Sequence, residues 1–327
     1  MTSVHDELTF RRNREVRIRA VVSIVAAAVV AACASTPAGP GQRPDLEYQP
    51  PIIDPVFDVG AGPLVLIDEA HFNFHTAEGR YRTFAELLRR DGYVVRPHTG
   101  PFTESALAAA RVLVISNALN EDDAEEWVLP NPSAFTPSEI DAVEAWVEGG
   151  GSLMLIADHM PFPGAAGELA ERFGLLFING YARRPGARGP ITFTRADDSL
   201  RSHPITNGRS AAERIESVAT FGGQAFRAHP DTRVEPLLVM GEGTVMDLPA
   251  TASQFTDTTP RFSAVGLMQG AVLHHGAGRV AAFGEAAMFS AQVFGVERFP
   301  MGMNDPAAGE NYQFLLNVVR WLSGQPR

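Results

Sequence analysis

The stretch GGGSLMLIAD at residues 149–158 decides the fold. Its centre, residues 152–157, is an apolar run without polar alternation, which predicts a short strand buried on both faces. The segment 137–148 before it predicts a helix, because Thr136 is an N-cap residue type and Glu139 follows three positions later. A helix, a glycine-rich turn and a buried strand in this order are typical of a sheet wrapped by helices.

The same alternation recurs on both sides of this stretch. Apolar runs predict further strands, and segments with helical periodicity lie between them. We therefore predict an α/β domain with a mostly parallel sheet and helices on both faces. The predicted strands are 64–68, 93–95 and 112–116, and the predicted helices are 77–90, 104–110 and 165–173.

The second half of the chain is less regular. Its glycine-rich middle, 180–260, is interpreted as an elaboration of one sheet, and we expect a single domain over residues 63–327. Further strands are predicted near 191–194, 234–239, 264–267 and 279–283, with a final amphipathic helix over 311–322.

The composition excludes several classes of chemistry. The chain has 327 residues, of which 45% are hydrophobic and 20% charged, so it is long enough to bury a full core. All 27 basic residues are arginine and there is one cysteine. These absences exclude a lysine Schiff base, a P-loop lysine, a disulfide framework and cysteine-cluster metal sites. The net charge of −11 also disfavours nucleic acid as a partner.

The single cysteine ends an amino-terminal segment of distinctive pattern. Five arginines lie within residues 1–19, and an apolar run follows over residues 20–32. The run is too short for a comfortable membrane span and is typical of a signal peptide. Residues 30–33, Val-Ala-Ala-Cys, resemble the lipobox of bacterial lipoproteins, which implies lipidation of Cys33 and removal of residues 1–32. The alternative is a buried free cysteine after an amino-terminal helix.

The lipobox resemblance implies a location. The residue after Cys33 is alanine and not aspartate, which in Gram-negative lipoproteins implies sorting to the outer membrane, facing the periplasm. The membrane would then be a partner through the lipid. Whether export follows the general or the twin-arginine route stays open. The proline-rich segment 33–62 is interpreted as an extended tether between the lipid and the domain.

Four further segments carry a resemblance to a known group of domains. Together they resemble the class I glutamine amidotransferase-like, flavodoxin-like fold, and the likeness spans about residues 64–323. True amidotransferases use a nucleophilic cysteine, and here the only cysteine belongs to the lipobox. The resemblance therefore implies a fold but not glutamine hydrolysis. The segments are 149–158, His203-Pro204-Ile205, 278–285 and 317–322.

Candidate site residues follow the predicted strands, because ligands of open α/β sheets bind at the carboxyl ends of strands. Catalytic roles are assigned to Asp158, His159 and Glu285, since a carboxylate and an imidazole together can exchange protons. Helix capping is the alternative for both carboxylates. Ligand-binding roles are assigned to Asp68, Glu69, Asn73 and Asn117, with loop-closing hydrogen bonds as the alternative.

A divalent metal such as zinc is a further hypothesis. His71 and His75 are four residues apart, a separation that places two imidazoles on one face of a helix, although the segment precedes the predicted helix. The metal ligands in this hypothesis are His71, His75, Asp158 and His159.

Three hypotheses for function follow. The first is a metal-assisted hydrolase of a small envelope molecule, without a cysteine nucleophile. The second is a non-catalytic module that binds a small-molecule ligand or a protein partner. The third is a structural lipoprotein whose polar residues only close loops. Whether the chain is an enzyme stays open at this point.

Overall fold

The computed structural model describes residues 41–325, and their strands form four sheets. The strands are β1 (Arg43–Pro44), β2 (Leu64–Asp68), β3 (Val94–His98), β4 (Val112–Ser116), β5 (Ser152–Ile156), β6 (Leu175–Phe177), β7 (Tyr181–Arg183), β8 (Ile191–Thr194), β9 (Ser217–Thr220), β10 (Phe226–Ala228), β11 (Glu235–Val239), β12 (Val245–Asp247), β13 (Arg261–Ser263), β14 (Met268–His275), β15 (Gly278–Phe283), β16 (Ala291–Phe294) and β17 (Phe299–Gly302).

The described α-helices are short, and the longest two have 12 residues each. Over residues 41–325, none has the length and hydropathy needed to cross a membrane. The α-helices are α1 (Arg82–Arg90), α2 (Glu104–Leu107), α3 (Pro137–Glu148), α4 (Phe162–Arg172), α5 (Pro204–Asn207) and α6 (Asn311–Leu322), and single 3-10 turns lie at Glu121–Asp123, Ala211–Glu213, Ala287–Phe289 and Pro306–Ala308.

The largest sheet has nine strands and places the predicted strand ends together. Its order is β3-β2-β4-β5-β15-β14-β10-β6, and β11 also pairs with β14. The pairings from β3 to β15 are parallel, with Leu153 of β5 opposite both Leu113 of β4 and Val280 of β15. The carboxyl ends of these five strands therefore lie at one edge of the sheet.

The predicted fold class, a mostly parallel flavodoxin-like sheet with helices on both faces, is wrong. Nine of the thirteen strand pairings in residues 41–325 are antiparallel, and three smaller sheets stand beside the main one. The pairing changes from parallel to antiparallel between β15 and β14, and the cause is the short turn that joins them. β14 and β15 are joined through Gly276 and Ala277, with Gly276 at φ +57°, and a two-residue turn joins only antiparallel strands.

The core explains why the central strands are uniformly apolar. Val65 and Ile67 belong to one hydrophobic cluster, while Leu66 between them belongs to a second. The first cluster includes Phe314 of α6, and the second includes Val143 of α3. Side chains of β2 are therefore buried on both faces, as the unbroken apolar run predicts.

Residues 41–62, which belong to the predicted tether, pack against the domain instead of extending away from it. Arg43 and Pro44 pair with β16, and the amide of Asp45 donates to the carbonyl of Ala291 over 2.8 Å. The cause lies in the apolar residues among the prolines: Tyr48, Ile52, Val56 and Phe57 pack against the first cluster. The predicted signal peptide and Cys33 lie outside the described residues.

Candidate functional site

Polar side chains of the prediction gather at the carboxyl ends of the parallel strands. Ser116 at the end of β4 is opposite Ile156 of β5, which is opposite Phe283 of β15. The residues at or just after the strand ends are Asp68, Asn117, Asp158 and Glu285. These residues lie at the edge of the sheet where the sequence predicts a site. Their side-chain contacts show what each one does.

His71 joins two carboxylates from distant parts of the chain. Its Nδ1 lies 2.9 Å from Asp68 Oδ1, and its Nε2 lies 3.0 Å from Glu139 Oε1. Glu139 Oε2 also accepts from the backbone amide of Thr136 over 3.0 Å, and so completes the capping box of α3. The amide of Phe102 donates to the same Glu139 Oε1 over 3.2 Å. This network fastens the loop after β2 to the first turn of α3.

The electrostatics of this network favour a charged imidazolium. Burial alone would lower the pKa of His71, but the hydrogen bonds and charges of Asp68 and Glu139 outweigh it, so the pKa is raised. Burial would raise the pKa of Glu139, but hydrogen bonds from Thr136 and His71 lower it instead. The two shifts agree, and both describe an ion pair with little exposure to water.

The predicted metal ligands do not form a metal site. Both ring nitrogens of His71 are engaged by carboxylates, so no lone pair is left for a metal. The Nδ1 of His159 lies 2.7 Å from the carbonyl of Met160. Across residues 41–325, no group of three or more His, Cys, Asp or Glu side chains is arranged to hold a metal ion. Within the described residues, His71, His75, Asp158 and His159 are thus not arranged together as a metal site.

His75 lies in a different environment from His71. Its Nδ1 is 3.3 Å from Ser116 Oγ, and its ring lies 4.4 Å, centroid to centroid, from the ring of Tyr81. Complete burial, followed by the charge of Arg80, lowers the pKa of His75 to about 3. His75 is thus a neutral core histidine at physiological pH.

The predicted ligand-binding residues mainly hold the loops. Glu69 Oε1 accepts from the amide of Ala77 over 2.7 Å. Asn73 donates to Asp68 Oδ2 over 2.9 Å. Asn117 has φ +50°, and its Oδ1 accepts from the amide of Asp158 over 2.9 Å. These contacts correspond to the loop-closing alternative for the segment 68–75, and Asn117 makes a contact of the same kind.

Glu285 is a buried carboxylate that holds the turn after β15. Its oxygens accept from the amides of Ala287 over 2.9 Å and Met288 over 2.8 Å, which is the capping alternative for this residue. Burial, and then the charge of Asp158, raises the pKa of Glu285 well above its usual value. Asp158 Oδ2 in turn accepts from the amide of Ala286 over 3.3 Å. The two carboxylates therefore interact around one short segment.

Aromatic rings gather around His159, beside Asp158. The rings of His159 and Tyr181 stack with centroids 4.5 Å apart and planes 12° apart. The ring centroid of Trp127 lies 6.1 Å from that of His159 and 5.2 Å from that of Phe162. His159 and Trp127 are both only half-buried. The cluster formed by Trp127, His159, Phe162 and Tyr181 is called the aromatic site below.

Polar atoms of the aromatic site lack partners in the described part of the chain. The indole Nε1 of Trp127 is buried, and no residue among 41–325 accepts its hydrogen bond. Nearby, Asn179 Nδ2 donates to Asn131 Oδ1 over 2.7 Å, whereas Asn179 Oδ1 is buried without a donor from the same residues. Buried donors and acceptors in native proteins are nearly always satisfied, so these atoms are expected to contact water or a bound molecule.

Sequence reasoning missed Glu139, Trp127 and Tyr181 as site residues. Glu139 was recognised only as part of a capping box, because its second contact comes from a residue 68 positions away. Trp127 follows an acidic segment, residues 121–126, whose charges favour a solvated loop over a lid or a calcium-attracting surface. An aromatic residue after an acidic loop is the one available signal.

Comparison with known proteins identifies a solved structure with a similar fold. No family model and no curated protein matches the sequence. Among solved structures, the N-terminal domain of mmIFT52 is similar with a TM-score of 0.56 at 14% identity, covering 79% of this chain and 97% of that domain. This chain shares the fold of that domain. At that identity the likeness concerns the fold alone.

Two other solved structures are similar at lower scores. A cytoplasmic protein from Salmonella typhimurium has a TM-score of 0.47 at 15% identity, covering 80% of this chain and 98% of its own. A ThuA-like protein from Bacteroides uniformis has a TM-score of 0.44 at 16% identity, covering 82% and 94%. Neither the activity nor the location of this chain follows from these likenesses, because both scores lie below 0.5.

Proposed function

We propose that this chain is a lipid-anchored cell-envelope protein, attached through Cys33 to the outer membrane on its periplasmic side, whose aromatic site binds a small polar molecule. The anchor is supported by the charged segment, apolar run and lipobox-like residues 30–33. The site is supported by one observation above all. Trp127 Nε1 is a buried donor without an acceptor in residues 41–325, and the Trp127 ring packs against the buried ring of Phe162 and lies near the half-buried ring of His159.

The chemistry of the aromatic site defines the ligand in general terms. The indole N–H of Trp127 donates only, so the ligand presents an oxygen or nitrogen acceptor to it. The half-buried rings of Trp127 and His159 offer apolar area to the remainder of the molecule. A few fixed polar groups among rings are typical of a small-molecule site.

The test removes the indole N–H and keeps an aromatic ring. The probe is the small-molecule fraction of a bacterial envelope extract, added to the purified full chain while its thermal unfolding is followed. We expect the fraction to stabilise the wild type, and Trp127→Phe to need a concentration about three to ten times higher, because one hydrogen bond of about 0.5–1.5 kcal/mol is lost.

Trp146→Phe is the matched control. Trp146 lies on α3, packed against the second hydrophobic cluster, and we expect its variant to respond like the wild type. A Trp127→Phe response equal to that of the wild type, or no stabilisation of any variant, would refute the binding proposal.

A metal-free hydrolase is a second candidate, supported by the pairing of Asp158 with Glu285. Burial and the charge of Asp158 raise the pKa of Glu285, which suits this carboxyl to the role of a proton donor. Both oxygens of Glu285 already accept backbone amides, however, so access for a substrate is restricted. This candidate predicts turnover of a panel of chromogenic esters, phosphates or glycosides that Asp158→Asn abolishes while the protein stays folded. No turnover by the wild type would refute the hydrolase, and ligand binding would then be the one candidate left.

A further inference from the structure

The hairpin of β16 and β17 exposes apolar side chains at its turn. Val296 is 97% exposed, and Phe294 and Phe299 on either side are 41% and 53% exposed. The two phenylalanine rings contact each other with centroids 5.6 Å apart. Residues 294–299 are called the apolar turn below. Exposed apolar groups that adjoin one another mark a surface for interaction.

The polypeptide enters the domain at this same turn. β1 runs antiparallel to β16, with Arg43 opposite Val293, so the residues before Arg43 lie beside the turn. A Cβ atom placed on Gly41 would be 3.4 Å from the backbone nitrogen of Gly295. Gly41, the first residue that the structure describes, therefore lies beside the apolar turn.

The distance along the chain from Gly41 to Cys33 is short. Eight residues of fully extended chain reach about 29 Å at most, and a flexible segment of that length has a root-mean-square span of about 16 Å. A lipid on Cys33 therefore keeps the apolar turn within a few nanometres of the bilayer surface. Tethering of this kind makes a second, weak contact effectively intramolecular.

We infer that the apolar turn inserts into the headgroup region of the membrane to which Cys33 is attached. This inference rests on the lipid anchor proposed above. Glu297 and Arg298 lie in the same turn and are exposed, which limits insertion to the interface rather than the hydrocarbon core. Arg298 Nη2 is 3.9 Å from Asp45 Oδ1, so its charge is directed back towards the domain. The lipid and the turn together would fix the orientation of the domain on the membrane.

The test places a fluorophore at the turn. In the lipidated full chain the thiol of Cys33 is consumed, so Val296→Cys introduces the single reactive thiol, which is labelled with a solvatochromic dye. The protein is reconstituted in vesicles of phosphatidylethanolamine and phosphatidylglycerol. We expect the emission of the dye to shift to shorter wavelength relative to the same protein without lipid or detergent. We also expect lipids that carry a nitroxide in the headgroup to quench it.

Val59→Cys is the matched control, because Val59 is 86% exposed. The backbone amides of its neighbours Phe57 and Gly62 donate hydrogen bonds to carbonyls of residues 91 and 92, which follow α1. At the start of α1, the hydroxyl of Thr83 donates to the carbonyl of Asp45, beside the apolar turn. Val59 therefore lies at the other end of α1 from the apolar turn. Neither the shift nor the quenching is expected there.

The outcomes separate the inference from the proposal on which it rests. Identical emission from the two labels, with Cys33→Ser released from membranes, would overturn insertion and leave the anchor in place. A shift at residue 296 without quenching by the lipids would show contact with a second copy of the chain, and would also overturn it. If Cys33→Ser stays in the membrane fraction, the anchor fails and the inference falls with it.

Discussion

Two histidines four residues apart, His71 and His75, have pKa values that their surroundings shift in opposite directions. His71 contacts the carboxylates of Asp68 and Glu139, and its pKa is raised in spite of burial. His75 contacts Ser116 and is fully buried, and its pKa is lowered to about 3. Their spacing in the sequence suggested a shared role, but the difference arises from residues that are distant along the chain.

His71→Gln is expected to destabilise the protein by about 3 kcal/mol near pH 6, because two buried carboxylates lose their cation. A raised folded pKa means that this contribution is fully present below the unfolded pKa of about 6.5, and decreases as the pH rises through the folded value. Urea unfolding of wild type and variant between pH 6 and 9 checks the prediction. A difference that does not shrink with rising pH would contradict it.

A matched change at an exposed histidine controls for this result. His229 Nε2 lies 3.8 Å from Glu171 at the surface, where both side chains are about half exposed or more. His229→Gln is expected to change the free energy of unfolding by less than about 1 kcal/mol.

His75 predicts the reverse dependence on pH. Because its folded pKa is lowered to about 3, the unfolded chain binds a proton that the folded chain refuses. The free energy of unfolding should fall as the pH decreases from about 6.5 towards 3, by up to about 1.4 kcal/mol per unit. His75→Gln should remove this part of the slope in urea unfolding curves. An unchanged acid slope in the variant would show that His75 is not the group responsible.

At the scale of elements, patterns within one segment were reliable and pairings between segments were not. The helices 137–148 and 311–322 and the strands 64–68, 112–116 and 191–194 have the predicted bounds. β14 was missed, and the strand near 264–267 was placed just before it. The antiparallel half of the sheet depends on the turn between β14 and β15, which short-range periodicity does not reveal.

The packing of β15 against α3 can be tested at one glycine. A Cβ on Gly278 would lie 2.1 Å from the carbonyl oxygens of Val147 and Gly151, so Gly278→Ala is expected to destabilise the protein by about 1–3 kcal/mol. Gly167 in α4 has no heavy atom within 4 Å of that position, and Gly167→Ala should stabilise the protein by about 0.5–1 kcal/mol. Thermal unfolding of the two variants measures both. Equal effects of the same sign would contradict the described packing.

At the scale of the whole molecule, the domain begins earlier than the sequence indicates. Prolines in 41–62 suggested a tether, but the apolar residues between them pack against the core, so at most residues 34–40 separate Cys33 from the folded domain. The strand-end position of Asp68, Asn117 and Asp158 was predictable, because parallel strands end at one edge. The aromatic site was not, because Trp127 and Tyr181 reach it from separate loops and sheets.

We propose that a lipid on Cys33 holds a ligand-binding domain at the envelope. Cell fractionation of the wild type, Cys33→Ser and Ala34→Ser tests it most directly. We predict that the wild type and Ala34→Ser are found with the outer membrane, and that Cys33→Ser appears in the soluble periplasmic fraction, since the variant lacks the thiol to which the lipid is attached. Cys33→Ser that remains in the membrane fraction, or wild type that is soluble, would contradict the account.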